Sequence, residues 1–244
     1  MTSAQPLAIR AESLVKNYQT DWKGRRHRAL AGVSFGVFSG SVCGLVGPNG
    51  SGKSTTLKLL AGLMQPDAGR CEIHGQTAEK ARESGRVGYL PEALGLPAYL
   101  TGREFLRGFA QLGCLGAFEE KIAGALALVG LEAAAGRRMG EYSKGMRQRL
   151  GLAQAVLGGP AVVLLDEPAS GLDPRATAQL GAAIRQLREQ GQTVLLSSHY
   201  LPQAEEWCDQ VVLLDGGRVV FDGSIATVAT SGGLQNLYLE RTVP

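Results

Sequence analysis

The chain has 244 residues, 44% of them hydrophobic and 19% charged, with 25 Lys and Arg against 22 Asp and Glu. That apolar content supplies a core for one large domain, or a domain with a subdomain, and excludes disorder; a net charge of +3 with both signs interspersed leaves no footprint for nucleic acid. The four cysteines, Cys43, Cys71, Cys114 and Cys208, lie far apart with no C-x-x-C pair, which argues against a zinc site or a disulfide framework and for reduced, cytosolic thiols.

In chain order, MTSAQPLAIR has no basic run followed by an apolar stretch, so no secretory leader is expected. Short strands follow at LAIRAESLV and ALAGVSFGVF. Between them, Asp21 to Arg28 reads DWKGRRHR, a basic cluster that suits a solvated hairpin tip or, less often, contact with lipid head groups or a partner chain. The uncharged run from Ala29 to Gly52 is of membrane length but carries seven glycines, Pro48 and Asn49, so it reads as strand, turn, strand and loop. If the protein acts at a membrane, another chain must cross it.

SVCGLVG is a third strand, running into a glycine-rich loop and a helix predicted from about Lys53 to Leu63. Strand signals return at RCEIHG and RVGYLP. From Pro97 to Gly158 the pattern turns helical, with Thr101 and Glu104 spaced as a capping box, apolar periodicity through IAGALALVGL, and a helix that Ser143 begins. AVVLLDEP is then a short buried strand, Asp173-Pro174 opens a helix, TVLLSSH is another strand, and VVLLDGGRVVFDG a hairpin. Strand and helix alternate around a parallel sheet, interrupted by a helical insertion.

Gly47, Pro48, Asn49, Gly50, Ser51, Gly52, Lys53, Ser54 and Thr55 satisfy G-x-x-x-x-G-K-[ST] directly after an apolar strand and at a helix start. Glycines let backbone N–H groups turn onto phosphate oxygens, and the helix offers its positive end to the anion. Lys53 is expected to reach the β- and γ-phosphates and the Ser54 hydroxyl to ligate Mg²⁺. AVVLLDEP delivers carboxylates at the C-terminal edge of a buried strand, where doubly wound sheets bind ligands. Asp166 is expected on the metal side and Glu167 to hold and activate an attacking water. His199 closes TVLLSSH at the same edge, placed to donate to the γ-phosphate or to position the water. His27 and His74 have no such context.

In this order and over nearly the whole length, the motifs resemble the nucleotide-binding subunits of ATP-binding cassette (ABC) transporters. Tyr18 matches the aromatic residue that stacks on adenine, GPNGSGKST the Walker A loop, YLPE the Q-loop, YSKGMRQ the family signature, VVLLDEP Walker B, Ser170 to Asp173 the D-loop and His199 the switch histidine. The resemblance implies an α/β fold of the P-loop NTPase type, spanning 1–244. A mostly parallel RecA-like core and an antiparallel N-terminal β-subdomain would occupy about 1–91 and 159–244, with an inserted α-helical subdomain at about 92–158.

It implies ATP and Mg²⁺ as cofactors, with Ser54, Glu92 and Asp166 on the metal, Lys53, Glu167 and His199 in the chemistry, and Tyr18, the loop residues, Glu92, Ser143, Gly145 and Asp173 on the nucleotide. Two cassettes of such a family meet head to tail, with Ser143 and Gly145 of one gripping the γ-phosphate held by the other. The implied partners are a second copy and a separately encoded membrane permease, at the cytoplasmic face of the cell membrane; nucleic acid is not expected. Two positions depart from the common pattern. Glu92 stands where the Q-loop usually has Gln, and Lys144 and Met146 replace a glycine and a glutamine of the signature. YLPE with YSKGMRQR is similar to drug, polysaccharide and multicopper-maturation exporter cassettes. A soluble ABC-type ATPase acting on nucleic acid or ribosomes is the alternative; a P-loop GTPase or kinase would need an N-K-x-D base-reading sequence.

Overall fold

The structure is a computed structural model that describes residues 6–19, 26–113, 115–230 and 232–242. Cys114 and most of the basic DWKGRRHR stretch, Asp21 to Arg25, lie outside the described residues. Two sheets organise the rest. A four-stranded antiparallel sheet has the order β2-β1-β4-β5, from β1 (Leu7–Gln19), β2 (Arg26–Phe38), β4 (Ala68–Ile73) and β5 (Gln76–Thr77). A six-stranded sheet has the order β10-β9-β3-β8-β7-β6, from β3 (Val42–Val46), β6 (Val87–Leu90), β7 (Val162–Leu165), β8 (Thr193–Ser198), β9 (Gln210–Asp215) and β10 (Arg218–Ser224). All its pairings are parallel except β10 with β9.

The inner strands of the second sheet carry buried apolar runs, such as Val162 to Leu165 on β7 and Val211 to Leu214 on β9, because both faces are covered there, while the edge strand β10 is partly exposed. Along β7, Val163 and Leu165 enter one core while Val162 and Leu164 enter the other. β8 divides in the same way, Val194 and Leu196 against Leu195. The first core is closed by helices α5 (Lys144–Val156), α6 (Pro174–Glu189) and α7 (Leu201–Trp207), the second by α1 (Lys53–Leu60) and the antiparallel sheet.

Between 97 and 158 the described residues carry helices joined by turns, with α3 (Gly102–Leu112) and α4 (Phe118–Leu128) ahead of α5. Thr101 caps α3 as its spacing with Glu104 predicts: Thr101 Oγ1 accepts from Glu104 N at 3.2 Å and Glu104 Oε2 from Thr101 N at 2.8 Å. α5 is tied to the end of α4 by Arg149, whose Nη1 donates to the Val129 carbonyl at 2.7 Å.

Some boundaries differ from those predicted. α1 stops at Leu60 rather than Leu63, because Gly62 adopts a left-handed φ of 64° and ends the helix. β4 ends at Ile73, before a turn in which His74 and Gly75 both have positive φ. Helix α2 (Ala78–Glu83), α7, α8 (Ile225–Thr230) and α9 (Leu234–Thr242) had no counterpart in the sequence reading.

β6 passes so close to α5 that a Cβ at Gly88 would stand 1.9 Å from the Ala155 carbonyl oxygen. Gly88→Ala is therefore expected to cost about 3 kcal/mol or more, read as a lowered urea midpoint. Cys43, Cys71 and Cys208 are buried and unpaired. Burial pushes the Cys71 thiol up to about 11 and lifts Cys43 and Cys208 as well. Little thiolate is left to react, so iodoacetamide at pH 8 should leave these three unmodified in peptide maps of the native protein and label them once it is unfolded.

Candidate active site

β3, β8 and β7 are neighbours and parallel, so their C-terminal ends bring three loops to one edge of the sheet. The glycine-rich loop follows Val46, Asp166 follows Leu165, and His199 follows Ser198. A cavity of about 460 Å³ lies there, lined by Tyr18, Asn49, Gly50, Gly52 to Thr55, Glu92, Glu167, Ser170 and His199, with His27 and Ala29 at its side. His27, given no role from sequence, thus stands at its wall.

The loop is shaped by its glycines where side chains would not fit. Gly52 has φ 105°, and a Cβ there would meet the Leu30 side chain at 2.5 Å and the Ala29 carbonyl oxygen at 2.7 Å. Lys53, 6% exposed, folds back over the loop and donates to the carbonyls of Gly47 at 2.8 Å and Pro48 at 3.1 Å. Its ammonium is 3.6 Å from Glu167 Oε1. The other carboxylate oxygen, Oε2, lies 2.8 Å from His199 Nδ1. Glu167 is thus held between a lysine and a histidine, on a backbone in the left-handed region at φ 46°. Ser198 makes a tight turn, its Oγ accepting from Tyr200 N at 2.9 Å, and so fixes the backbone on which His199 sits.

Asp166 is 2% exposed. Its Oδ1 accepts from Ser54 Oγ at 2.9 Å and Ser197 Oγ at 2.8 Å, and Tyr89 OH is 3.5 Å from Oδ2. Burial first, then the charge of Asp166, raises the Tyr89 phenol and keeps it a neutral donor. Ser197 carries no motif, and Tyr89 opens the YLPE stretch in which sequence assigns a role to Glu92 alone. Tyr18 OH pairs with Thr55 Oγ1 at 3.2 Å, joining β1 to the start of α1. Ser54 and Glu92 at the cavity, with Asp166 bonded to Ser54, offer hard oxygen donors, and among the described residues no group of three His, Cys, Asp or Glu is arranged to hold a metal ion by itself. That set suits Mg²⁺, which takes one or two protein oxygens and completes its shell from substrate phosphates and water.

Ser143, Gly145 and Asp173 do not line this cavity. Ser143 caps α5, Oγ accepting from Met146 N at 3.2 Å, and it is exposed. Gly145 lies against the start of α6, where a Cβ would be 2.7 Å from Ala176 Cβ. Asp173 caps α6 by accepting from Ala176 N at 2.8 Å. A sheet edge with a phosphate-type loop, a paired acid and a histidine is a site for a polyphosphate. The starts of α5 and α6 stand outside it.

The family model described as ABC transporter matches residues 30–170. The uncharacterized ABC transporter ATP-binding protein YxlF of Bacillus subtilis strain 168 is 42% identical over 216 residues, which are 88% of this chain and 70% of that protein. A Nod factor export ATP-binding protein I of Burkholderia orbicola strain AU 1054 is 39% identical over 199 residues, 79% of this chain and 65% of that protein. Among solved structures, one described as the ATP-binding subunit of an ABC transporter superposes with a TM-score of 0.82 at 32% identity, covering 96% of this chain and 99% of that one.

Proposed function

The chain belongs to the ABC transporter family as an ATP-binding ATPase subunit, and from that premise we propose that it works as one half of a homodimer. Each ATP is held between the glycine-rich loop of one copy and Ser143 and Gly145 of the other. One observation carries this reading: Lys53, Ser54, Glu167 and His199 converge at one cavity, while Ser143 and Gly145 lie away from it on the same chain. A second copy supplies what the first lacks.

In this mechanism Tyr18 flanks the base, and the N–H groups from Gly50 to Thr55 hold the phosphates at the start of α1. Lys53, which donates to the Gly47 and Pro48 carbonyls, turns its ammonium to phosphate oxygens. Ser54, Asp166 and Glu92 would hold Mg²⁺, which would offset the negative charge gathered by the polyphosphate and the nearby carboxylates. Glu167, released from Lys53, orients the attacking water and takes its proton, and His199 keeps the carboxylate aimed from the far side. Asp173 with Gly171 and Leu172 faces the second copy, while Ser170 lines the cavity.

Residues 92–158 form the helical arm that carries Ser143, and 1–91 with 159–244 form the body that holds nucleotide. ATP closes the pair and hydrolysis reopens it, driving a separately encoded membrane-spanning partner. Among the described residues no helix is long and apolar enough to cross a membrane, and the proposed location is peripheral, at the cytoplasmic face. The name of the Burkholderia relative and the paired YLPE and YSKGMRQR motifs support export as the direction.

Two measurements test the proposal. Phosphate release per mole of chain should rise with protein concentration, because a shared site forms in a second-order step; a flat profile would mean a self-contained site. The tagged chain purified from membranes should bring with it a protein with several apolar spans. A salt-dependent gel shift on RNA or DNA in place of such a partner would move the reading to the nucleic-acid class.

A further inference from the structure

We infer that Ser197, on the buried strand β8, is a positioning residue of the hydrolytic site, one hydroxyl that locks Asp166 and Glu167 together. The inference rests on the reading of Asp166 as the metal-side acid and Glu167 as the base.

Ser197 is fully buried on β8, after the apolar run Val194 to Leu196. Its Oγ is 2.8 Å from Glu167 N and 2.8 Å from Asp166 Oδ1. The direction of both bonds follows from their chemistry. An amide N–H only donates, so the Ser197 oxygen accepts from Glu167; a carboxylate accepts, so the Ser197 proton goes to Asp166. A single side chain therefore joins the backbone of one acid to the carboxylate of the other.

The need for such a clamp is visible in the turn itself. Glu167 sits in the left-handed region at φ 46° without being glycine, a conformation that persists only where its surroundings hold it. The Ser197 oxygen pins that amide. Asp166 Oδ1 accepts a second hydroxyl from Ser54, the side chain that opens α1 beside the phosphate loop. With Ser54 engaged on a metal ion, Asp166 would keep two donors, the Ser197 hydroxyl at 2.8 Å and the more distant Tyr89 phenol at 3.5 Å. Alanine at 197 would leave a buried N–H without its acceptor and a carboxylate without its fixed donor. The turn would then relax, carrying the Glu167 side chain away from Lys53 and His199.

The test compares the wild type with Ser197→Ala and Ser197→Thr. Three quantities are read: affinity for a fluorescent, slowly hydrolysed ATP analogue in EDTA, the Mg²⁺ concentration that half-saturates its binding, and kcat for phosphate release. Ser197→Ala is expected to keep analogue affinity in EDTA within about twofold, to need roughly tenfold more Mg²⁺, and to lose about 10- to 100-fold in kcat, as loss of a bond that orients a ligating group does. Ser197→Thr, which restores the hydroxyl, should recover most of both losses.

Unchanged kcat and Mg²⁺ dependence in Ser197→Ala would overturn the inference. So would a loss of analogue binding in EDTA that matches the loss of kcat, since the hydroxyl would then serve folding alone. Ser197→Cys, similar in volume but a weak donor, carries the same comparison if the alanine variant does not fold. A wild type that binds ATP without turnover would sink the hydrolytic reading instead, and the Mg²⁺ measurement would by itself still decide for or against Ser197.

Discussion

Glu167→Gln is expected to cut ATP turnover by about 10²- to 10⁴-fold while ATP binding survives, and to run as a dimer on a sizing column in Mg-ATP where the wild type runs mostly as a monomer. Among the described residues of the cavity, Glu167 rather than Glu92 is the carboxylate held from both sides, by Lys53 at 3.6 Å and His199 at 2.8 Å. The amide keeps the shape and the capacity to hydrogen-bond but is no base. It also removes one negative charge from beside a polyphosphate, which favours the nucleotide-filled, closed pair. Both effects push the same way: the closed state forms more readily and its exit by hydrolysis is blocked. Phosphate release and elution volume are measured on the same preparation. A variant that stayed monomeric in saturating Mg-ATP would remove dimer closure from the mechanism, and one with near wild-type turnover would move the base elsewhere.

The parts of this site that sequence discloses are those whose chemistry lies within one short segment. The loop from Gly47 to Thr55 is written contiguously between strand and helix, and the acids Asp166 and Glu167 end an apolar strand, so local pattern and function coincide. Thr101 and Glu104 behave the same way, three residues apart on one helix start. Ser197 is hidden because its partners are about thirty residues away and the Ser-Ser pair before His199 reads only as the end of a buried strand. Tyr89 stands in the YLPE stretch, but the acid it faces is 77 positions away, so its role does not show in the motif.

The missed helices have another cause. α2, α7 and α8 are six or seven residues long, too short for an apolar period to emerge, and they are held by tertiary packing such as that of Trp207 and Ala204 against the sheet. α1 was drawn three residues too long because Leu63 continues an apolar pattern that Gly62 physically interrupts. Where a glycine sits at the end of a periodic run, its backbone freedom outranks the period.

The second large effect separates a shared site from a self-contained one. Lys53→Ala and Ser143→Arg are each expected to lose turnover by about 10²- to 10³-fold when assayed alone, since each removes or blocks contacts to the phosphates in both sites of a homodimer. Ser143 is exposed, so arginine there has room, and the loss of the N-cap costs only about 1 kcal/mol of stability. Mixed in equal amounts before ATP is added, the two inactive proteins should recover about a quarter of wild-type turnover, because half the two-fold pairs are mixed and each mixed pair has one intact site. In that site the loop comes from the Ser143→Arg chain and the helix start from the Lys53→Ala chain; the opposite site carries both lesions. No arrangement of separate chains rescues a site whose parts all belong to one molecule. Recovery in the mixture therefore requires that Lys53 and Ser143 act on the same phosphate from different copies, and a mixture as inactive as its components would mean that the start of α5 never faces the loop of a neighbour.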